Sequence, residues 1–376
     1  MSPPPIHALT MPKWGMAMAT GKIAAWLVRE GQAVAPGDEM VEVESEKIVN
    51  AVEASDGGIV RRIIAGEGET LPVGALLAVI ADGTVKAAAI DAFVAQFQKG
   101  FVPPPAGETP EGAAKTVVVD GVALAYEKTG AARQGAAPAL LIHGFGGDRT
   151  GWTLIGGALA ATRAVYALDL PGHGASDRDV GDGGLCTLAG YVVGAMDALG
   201  IDKAHLVGHS LGAAIALHIA ATQPARAVSL SLIGAVGLGG CVDAAYLADF
   251  IAATRRKELK PVLEKLFSDP RLVTRQMVEA TLKYKRLDGA VPALQRIAAA
   301  VFPGGRQAHN FRDRLADLPM PILALWGDDD RLANPEDAAG LPDNVAVRHV
   351  KAGHMAQVEA AGAVAKLLTA HFAAAG

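Results

Sequence analysis

AHLVGHSLGAAIALHIA, residues 204–220, makes two conformational demands with no spacer between them. AHLVGHS has the near-continuous apolar character of a strand buried on both faces, and LGAAIALHIA has the Ala- and Leu-rich character of a buried helix. The chain must therefore turn within about one residue, at Ser210. GHSLG, residues 208–212, fits G-x-S-x-G, a turn in which a strained serine projects from the top of a sheet. Gly208 and Gly212 are physical requirements of such a turn, because side chains there would collide.

A strand running straight into a helix predicts a parallel sheet, and the flanking sequence supplies its neighbours. TVVVDGVALAYEKTG (116–130) looks like an opening hairpin. PALLIHGF (138–145), RAVYALDLPGHG (163–174), VSLSLIGAV (228–236), PILALWGDDD (321–330) and VAVRHVKAGH (345–354) each carry a strand. Helical patterns alternate with them, ending in AAGAVAKLLTAHF (360–372), which predicts a doubly wound, mostly parallel sheet. Residues 242–306 hold only helical patterns such as DAAYLADFIAATRRKELKPVLEKLF, as expected of a helical cap over the sheet's carboxyl edge. HGFGG (143–147) follows a strand and can offer the Phe145 backbone N–H beside that of Leu211 as an oxyanion hole. WGDDDRLANP sets Asp330 past another strand, and KAGHM sets His354 in the next loop. Asp328 and Asp329 are adjacent alternatives to Asp330; spacing from Gly327 favours Asp330. His205 and His209 are expected in surface and elbow-packing roles, and Asp169 and His173 as braces of their loop.

The first eighty residues have a different rhythm. GKIAAWLVREGQAVAPGDEMVEV (21–43) can be laid over GIVRRIIAGEGETLPVGALLAVI (58–80), matching Trp26 with Ile63, Glu30 with Glu67, Gly31 with Gly68 and Gly37 with Gly74. Each copy is half of a small all-β sandwich. Between the copies, EVESEKIVNAVEA (42–54) predicts a hairpin with Glu46 and Lys47 at its tip. An ordinary solvated lysine is the alternative, but the repeat around Lys47 favours a presented one. Residues 82–115 lack a strand rhythm, hold one short amphipathic run at IDAFVAQF, and turn rich in Pro, Gly and Ala, which predicts a linker. Thirty such residues span on the order of 30 Å, enough for a tethered carrier to visit a site on its own chain. The expected organisation is thus 1–81, a linker at 82–115, and 116–376 with the cap within it.

The 376 residues are 51% apolar, enough for two cores, with a formal charge of −5 and a pI near 6.1 that argue against a nucleic-acid partner. Cys186 and Cys241, with no pairing pattern, fit a reducing compartment. MSPPPIHALT has no leader character, and no apolar run reaches membrane-spanning length, so a cytoplasmic protein without a membrane partner is expected. Neither stretch suggests a metal site. Charge is uneven: residues 1–85 carry six basic against eleven acidic side chains, whereas residues 243–286 carry ten against six. Arg255, Arg256 and Lys257 lie in that basic segment. They are candidate contacts for phosphates and for an acidic carrier, against the plainer reading of a solvated helical face.

Residues 6–81 resemble a lipoyl domain, in which the hairpin lysine is amide-linked to lipoic acid; biotin carriers usually flank theirs with methionine, where Glu46 and Ile48 stand here. Residues 116–376 resemble the α/β-hydrolase family, with DLPGHGASD (169–177) a further shared stretch. That resemblance implies Ser210 as nucleophile, His354 as base and Asp330 as its orienter. The fusion resembles the acyltransferase components of acetoin-cleaving dehydrogenase complexes. It implies acetyl transfer from the lipoyl group on Lys47 to coenzyme A, with thiamine-diphosphate-dependent acetoin dehydrogenase subunits and dihydrolipoamide dehydrogenase as partners. The H-x-x-x-D-G motif of other lipoate acyltransferases is broken at Arg314 in HNFRDR. A serine hydrolase of esters or thioesters with an attached carrier is the alternative; a hydrolase part serving only for docking is a third reading.

Overall fold

A computed structural model of the chain describes residues 6–12, 20–44, 49–54, 56–101, 114–132 and 135–375. They fall into two compact units, Met1–Ala113 and Ala114–Gly376.

In the first unit the strands are β1 (Ile6–Thr10), β2 (Thr20–Trp26), β3 (Ala33–Val34), β4 (Glu39–Glu44), β5 (Val49–Glu53), β6 (Gly58–Ile63), β7 (Thr70–Pro72) and β8 (Leu76–Ala81). They form two antiparallel four-stranded sheets, ordered β1-β8-β6-β3 and β5-β4-β2-β7. The repeat is realised strand by strand: β2, β3 and β4 of one copy correspond to β6, β7 and β8 of the other, and β5 flanks β4 as β1 flanks β8. Hydrogen bonds repeat with the same offset. The Trp26 N–H donates to Glu67 Oε1 at 2.9 Å, and the Ile63 N–H to Glu30 Oε1 at 2.7 Å. The Gly31 N–H donates to Val60 O at 2.7 Å, and the Gly68 N–H to Ile23 O at 2.8 Å. Each E-G turn thus closes on the other copy. Ile23, Met40, Val41, Val43, Val60, Leu77 and Ile80 fill the core between them.

The segment expected as a linker, 82–115, departs from that expectation. Its first part belongs to the first unit: α1 (Ala87–Gly100) packs Ile90, Phe93, Val94 and Phe97 onto Leu76, Val79 and Ala81 of β8. Those four residues recur at helical spacing within the amphipathic run IDAFVAQF and make one apolar face. Arg61 fastens the entry, donating to Asp82 O at 2.6 Å and Val85 O at 2.8 Å.

The second unit runs β9 (Lys115–Val119), β10 (Val122–Thr129), β11 (Ala139–Ile142), α2 (Thr153–Ala160), β12 (Val165–Leu168), α3 (Leu185–Ala198), β13 (Ala204–His209), α4 (Leu211–Thr222) and β14 (Ala227–Ile233). Four helices follow: α5 (Ala244–Ala252), α6 (Arg256–Glu264), α7 (Arg275–Lys285) and α8 (Ala290–Val301). The chain closes with β15 (Ile322–Gly327), β16 (Val345–Val350), α9 (Ala356–Glu359) and α10 (Ala361–Ala375). The sheet order is β16-β15-β14-β13-β11-β12-β10-β9. From β16 to β12 every pairing is parallel, and only β10 and β9 are antiparallel. One large core packs α3 and α4 against the sheet, and a second packs α2 and α10 on the other face.

Helices α5 to α8 sit over loops at the carboxyl ends of the strands. Phe250 of α5 packs on Gly146, after β11. The Tyr284 hydroxyl of α7 donates to Gly172 O, after β12, at 2.6 Å. Leu266 O, after α6, accepts from the Met355 N–H, after β16, at 3.1 Å.

Candidate functional site

Ser210 stands alone between β13 and α4 with φ 53° and ψ −117°, a left-handed backbone that a non-glycine residue adopts only under strain. The elbow is closely packed. A Cβ on Gly208 would strike Gly212 O, and one on Gly212 would strike Ile142 O, so both glycines are fixed by backbone approaching backbone. The Ser210 N–H donates to Ile233 O at 2.9 Å, which ties the serine to the end of β14.

The residue after β14, Gly234, leaves the space for the other two groups. A Cβ there would lie 3.0 Å from His354 Nδ1 and 3.1 Å from Asp330 Oδ2. His354 Nδ1 meets Asp330 Oδ2 at 2.8 Å, with both side chains buried. Asp330 Oδ1 accepts from the Leu332 N–H at 2.9 Å and the Ala333 N–H at 3.0 Å. Burial pulls the Asp330 carboxyl upward, but the His354 ring and the two backbone donors outweigh it and hold it below the usual carboxylate range. An ionised Asp330 is an acceptor only, so Nδ1 of His354 carries the proton of the bond between them. Asp328 and Asp329 are exposed, and Asp328 faces His349 at 3.7 Å. Of the three adjacent aspartates, Asp330 alone meets His354.

Leu211 follows Ser210, and the loop that carries Phe145 passes close to Ser210 at Gly144. A Cβ on Gly144, next to Phe145, would approach Ser210 Cβ to 2.9 Å. Among the described residues neither the Phe145 nor the Leu211 N–H has a protein acceptor. The neighbouring Gly146 N–H donates to His173 Nε2 at 3.1 Å, and His173 Nδ1 is held by Pro171 O at 3.0 Å. His173 thus braces the loop as a neutral ring, its pKa lowered to about 3 by burial and by nearby His143. Asp169 accepts from the Arg149 N–H at 2.7 Å and from its guanidinium, a buried ion pair for which Arg149 carries no local motif.

Of the two histidines read as non-catalytic, one departs from its expected setting. His205 is fully buried, its Nδ1 2.9 Å from Ser229 Oγ, rather than at the surface. His209 packs at the elbow against His354: its Nε2 donates to His354 O at 3.0 Å, with ring centroids 4.6 Å apart. Burial, then the charge of His354, lowers its pKa to about 3. Gly234 also escaped the sequence reading, where the only signal is a glycine ending VSLSLI.

Arg255, Arg256 and Lys257 are exposed at the start of α6. Arg255 is paired with Glu258, its Nε 2.7 Å from Oε1. Only the far end of α6 leads to the His354 loop, about 13 Å away at the rise of an α-helix. Lys47 lies outside the described residues. The strands before and after it in sequence, β4 and β5, are paired up to Glu44 and Val49. Among the described residues no group of His, Cys, Asp and Glu could hold a metal ion, and no helix is long and apolar enough to cross a membrane.

Comparison with known proteins covers both units. Residues 138–361 match the α/β hydrolase fold family, and residues 7–80 match the family described as biotin-requiring enzymes, shared by biotin and lipoyl domains. The dihydrolipoyllysine-residue acetyltransferase component of the acetoin cleaving system of Pseudomonas putida is 45% identical, over 95% of this chain and 95% of that protein. Its counterpart from Cupriavidus necator is 42% identical over 98% of each. Among solved structures, a meta-cleavage product hydrolase from Pseudomonas fluorescens, 24% identical, superposes with a TM-score of 0.63 over 70% of this chain and 98% of its own, a likeness of fold. With both units matched and both relatives aligned almost end to end, the chain belongs to the family of acetoin-cleaving-system dihydrolipoyllysine-residue acetyltransferase components, in which a lipoyl-type domain precedes an α/β hydrolase fold.

Proposed function

We propose that this protein transfers an acetyl group from a lipoyl arm on Lys47 to coenzyme A through an acetyl-Ser210 intermediate. The observation that carries the reading is the buried His354–Asp330 pair, 2.8 Å apart, beside a strained elbow serine, in a chain aligned along nearly its whole length with acetyltransferase components. Lipoate, amide-linked to Lys47, supplies a thiol that carries the acetyl group as a thioester.

Ser210 Oγ attacks the thioester carbonyl while His354 Nε2 takes its proton. The Phe145 and Leu211 N–H groups receive the oxyanion, each such donor being worth about 3 kcal/mol in a transition state. Asp330 keeps the imidazole in the Nδ1–H tautomer and stabilises the imidazolium. Collapse breaks the C–S bond, and His354 returns the proton to the leaving thiolate. His354 then takes the proton of the coenzyme A thiol, whose sulfur attacks the acetyl-serine; Ser210 leaves and regains its proton. One thioester is consumed and one formed, so the transfer is close to balanced.

The names of the relatives support a place in an acetoin cleaving system. A thiamine-diphosphate-dependent dehydrogenase would load the arm, and dihydrolipoamide dehydrogenase would reoxidise it. The likeness of the second unit to a 2-hydroxy-6-oxo-6-phenylhexa-2,4-dienoate hydrolase from Burkholderia cepacia, 34% identical over 63% of this chain, favours water as a competing acceptor. Incubating acetylated, lipoylated protein with and without coenzyme A decides between them. Acetyl-coenzyme A forming much faster than acetate supports transfer; equal release of acetate in both arms makes the protein a hydrolase.

A further inference from the structure

The catalytic histidine sits in a loop gripped from both sides. On one side Gly327, at the end of β15, leaves no room for a side chain against Ala352 O and Gly353 O. On the other, the chain leaving α6 presses on Gly353, where a Cβ would come within 2.7 Å of Ser268 N and 2.9 Å of Leu266 O. One side chain fastens that second contact. Glu359, the last residue of α9, accepts from the Gly353 N–H at 2.7 Å through Oε1. It also accepts from the Ser268 N–H at 3.1 Å and from the Ser268 hydroxyl at 2.5 Å through Oε2. The Met355 N–H adds a bond to Leu266 O. The two residues flanking His354 are therefore both bonded to this junction, Gly353 through Glu359 and Met355 directly.

We infer that Glu359 is a positioning residue: its carboxylate couples the α5–α8 cap to the His354 loop and so fixes the imidazole against Asp330 and Ser210. A carboxylate suits the task because it offers acceptors alone, and all three groups aimed at it are donors. The clamp acts on the backbone at His354 and does not touch the reacting atoms. Its loss should therefore lower the rate of acetyl-serine formation more than it weakens substrate binding. The inference rests on the serine–histidine reading above.

The experiment uses the full-length protein and p-nitrophenyl acetate, with Glu359→Gln, Glu359→Ala and Ser268→Ala. In Glu359→Gln the amide oxygen can still serve the Gly353 N–H, but the amide nitrogen opposes the Ser268 N–H. It should lower kcat by about tenfold, with Glu359→Ala nearer 10²-fold and KM changed by less than about twofold. The proton resonance of His354 Nδ1–H in the bond to Asp330 should move or broaden in both, and Ser268→Ala should give a smaller change in the same direction. Unchanged kcat in Glu359→Gln, whatever its melting temperature, overturns the inference. A lower rate with the resonance in its wild-type place overturns it too. Should Glu359→Ala fail to fold, the other two variants decide. Wild-type protein that forms no Ser210 adduct would instead count against the underlying mechanism.

Discussion

The two units place their reactive residues by opposite means. In the first, one lysine is set by its immediate neighbours in sequence: β4 and β5 pair as far as Glu44 and Val49, and a repeated half-sandwich supports that pair from behind. In the second, no short stretch contains the site. Ser210 follows β13, its N–H is held by β14, His354 follows β16, and Asp330 follows β15. His354 and Asp330 are closed off from water. A carrier needs its reactive group free, and a triad needs its groups fixed. Changes in the second unit should therefore act on chemistry, whereas a change at Lys47 should act on delivery.

The largest effects separate these cleanly. Ser210→Ala should lower acetyl transfer by on the order of 10⁴-fold or more with any acyl donor, since the nucleophile and base act as a unit. Lys47→Arg should abolish transfer from the chain's own arm while leaving the burst of p-nitrophenol from p-nitrophenyl acetate at the wild-type rate. Intact-mass analysis checks both, showing an acetyl adduct lost only with Ser210 and a lipoyl adduct lost only with Lys47. An adduct trapped on another residue of the second unit would refute the nucleophile.

Within the second unit, Asp330→Asn should cost about 10³- to 10⁴-fold in kcat, because the amide no longer enforces the Nδ1–H tautomer. Asp328→Asn should stay within about twofold, its carboxylate facing His349 in solvent. Comparable losses from the two substitutions would mean that the hydrogen bond at His354 does not orient the base.

The same contrast governs what the sequence revealed. The carrier was legible because its repeat is a local signal, and β4 and β8 begin at corresponding positions of the two copies. The serine elbow was legible because glycines at Gly208 and Gly212 leave a pattern wherever backbone meets backbone. Contacts made across the chain left little trace. Gly234 faces residues roughly a hundred positions away, Arg149 reaches Asp169, and Glu359 reaches Ser268. The burial of His205 follows from its place on central strand β13, which overrides the ordinary preference of histidine for partial exposure. Helix α1 was underweighted because its apolar face has meaning only against β8.

Acid should tell the units apart by stability. His173, His205 and His209 are held neutral, with pKa lowered to about 3 in each case first by burial. Unfolded, they would titrate near 6.5. Below that value the unfolded chain binds more protons than the folded one, so stability falls as pH drops from about 6.5 toward 3, by at most ~1.4 kcal/mol per pH unit for each histidine. The first unit has only His7. Calorimetry between pH 7 and 4.5 should show the melting transition of the second unit moving down much further than that of the first. Parallel shifts would mean that carboxylates rather than buried histidines set the acid response.

The smallest effect expected is on the cap's surface. All six acidic residues between 243 and 286 have cationic partners: Asp243 and Asp249 with Lys265, and Glu258, Glu264, Asp269 and Glu279 with Arg255, Lys260, Arg271 and Arg275. Among the described residues, Arg256, Lys257, Lys283 and Arg286 have no carboxylate partner and are exposed. These four, rather than the triplet 255–257 as such, carry the surplus charge available to the phosphates of coenzyme A. Exposed pairs are each worth about 0–1 kcal/mol, so Arg256→Gln and Lys257→Gln should each raise KM for coenzyme A by no more than about fivefold with kcat unchanged. The wild-type KM should rise with salt, as charges farther apart than ~8 Å are screened at physiological ionic strength, and the double variant should respond less. Arg255→Gln removes a partner from Glu258 instead, so it should lower the melting temperature slightly and leave KM alone. Three variants with identical salt curves would reduce the cluster to a solvated helix end, and the acceptor's phosphates would have to be held elsewhere.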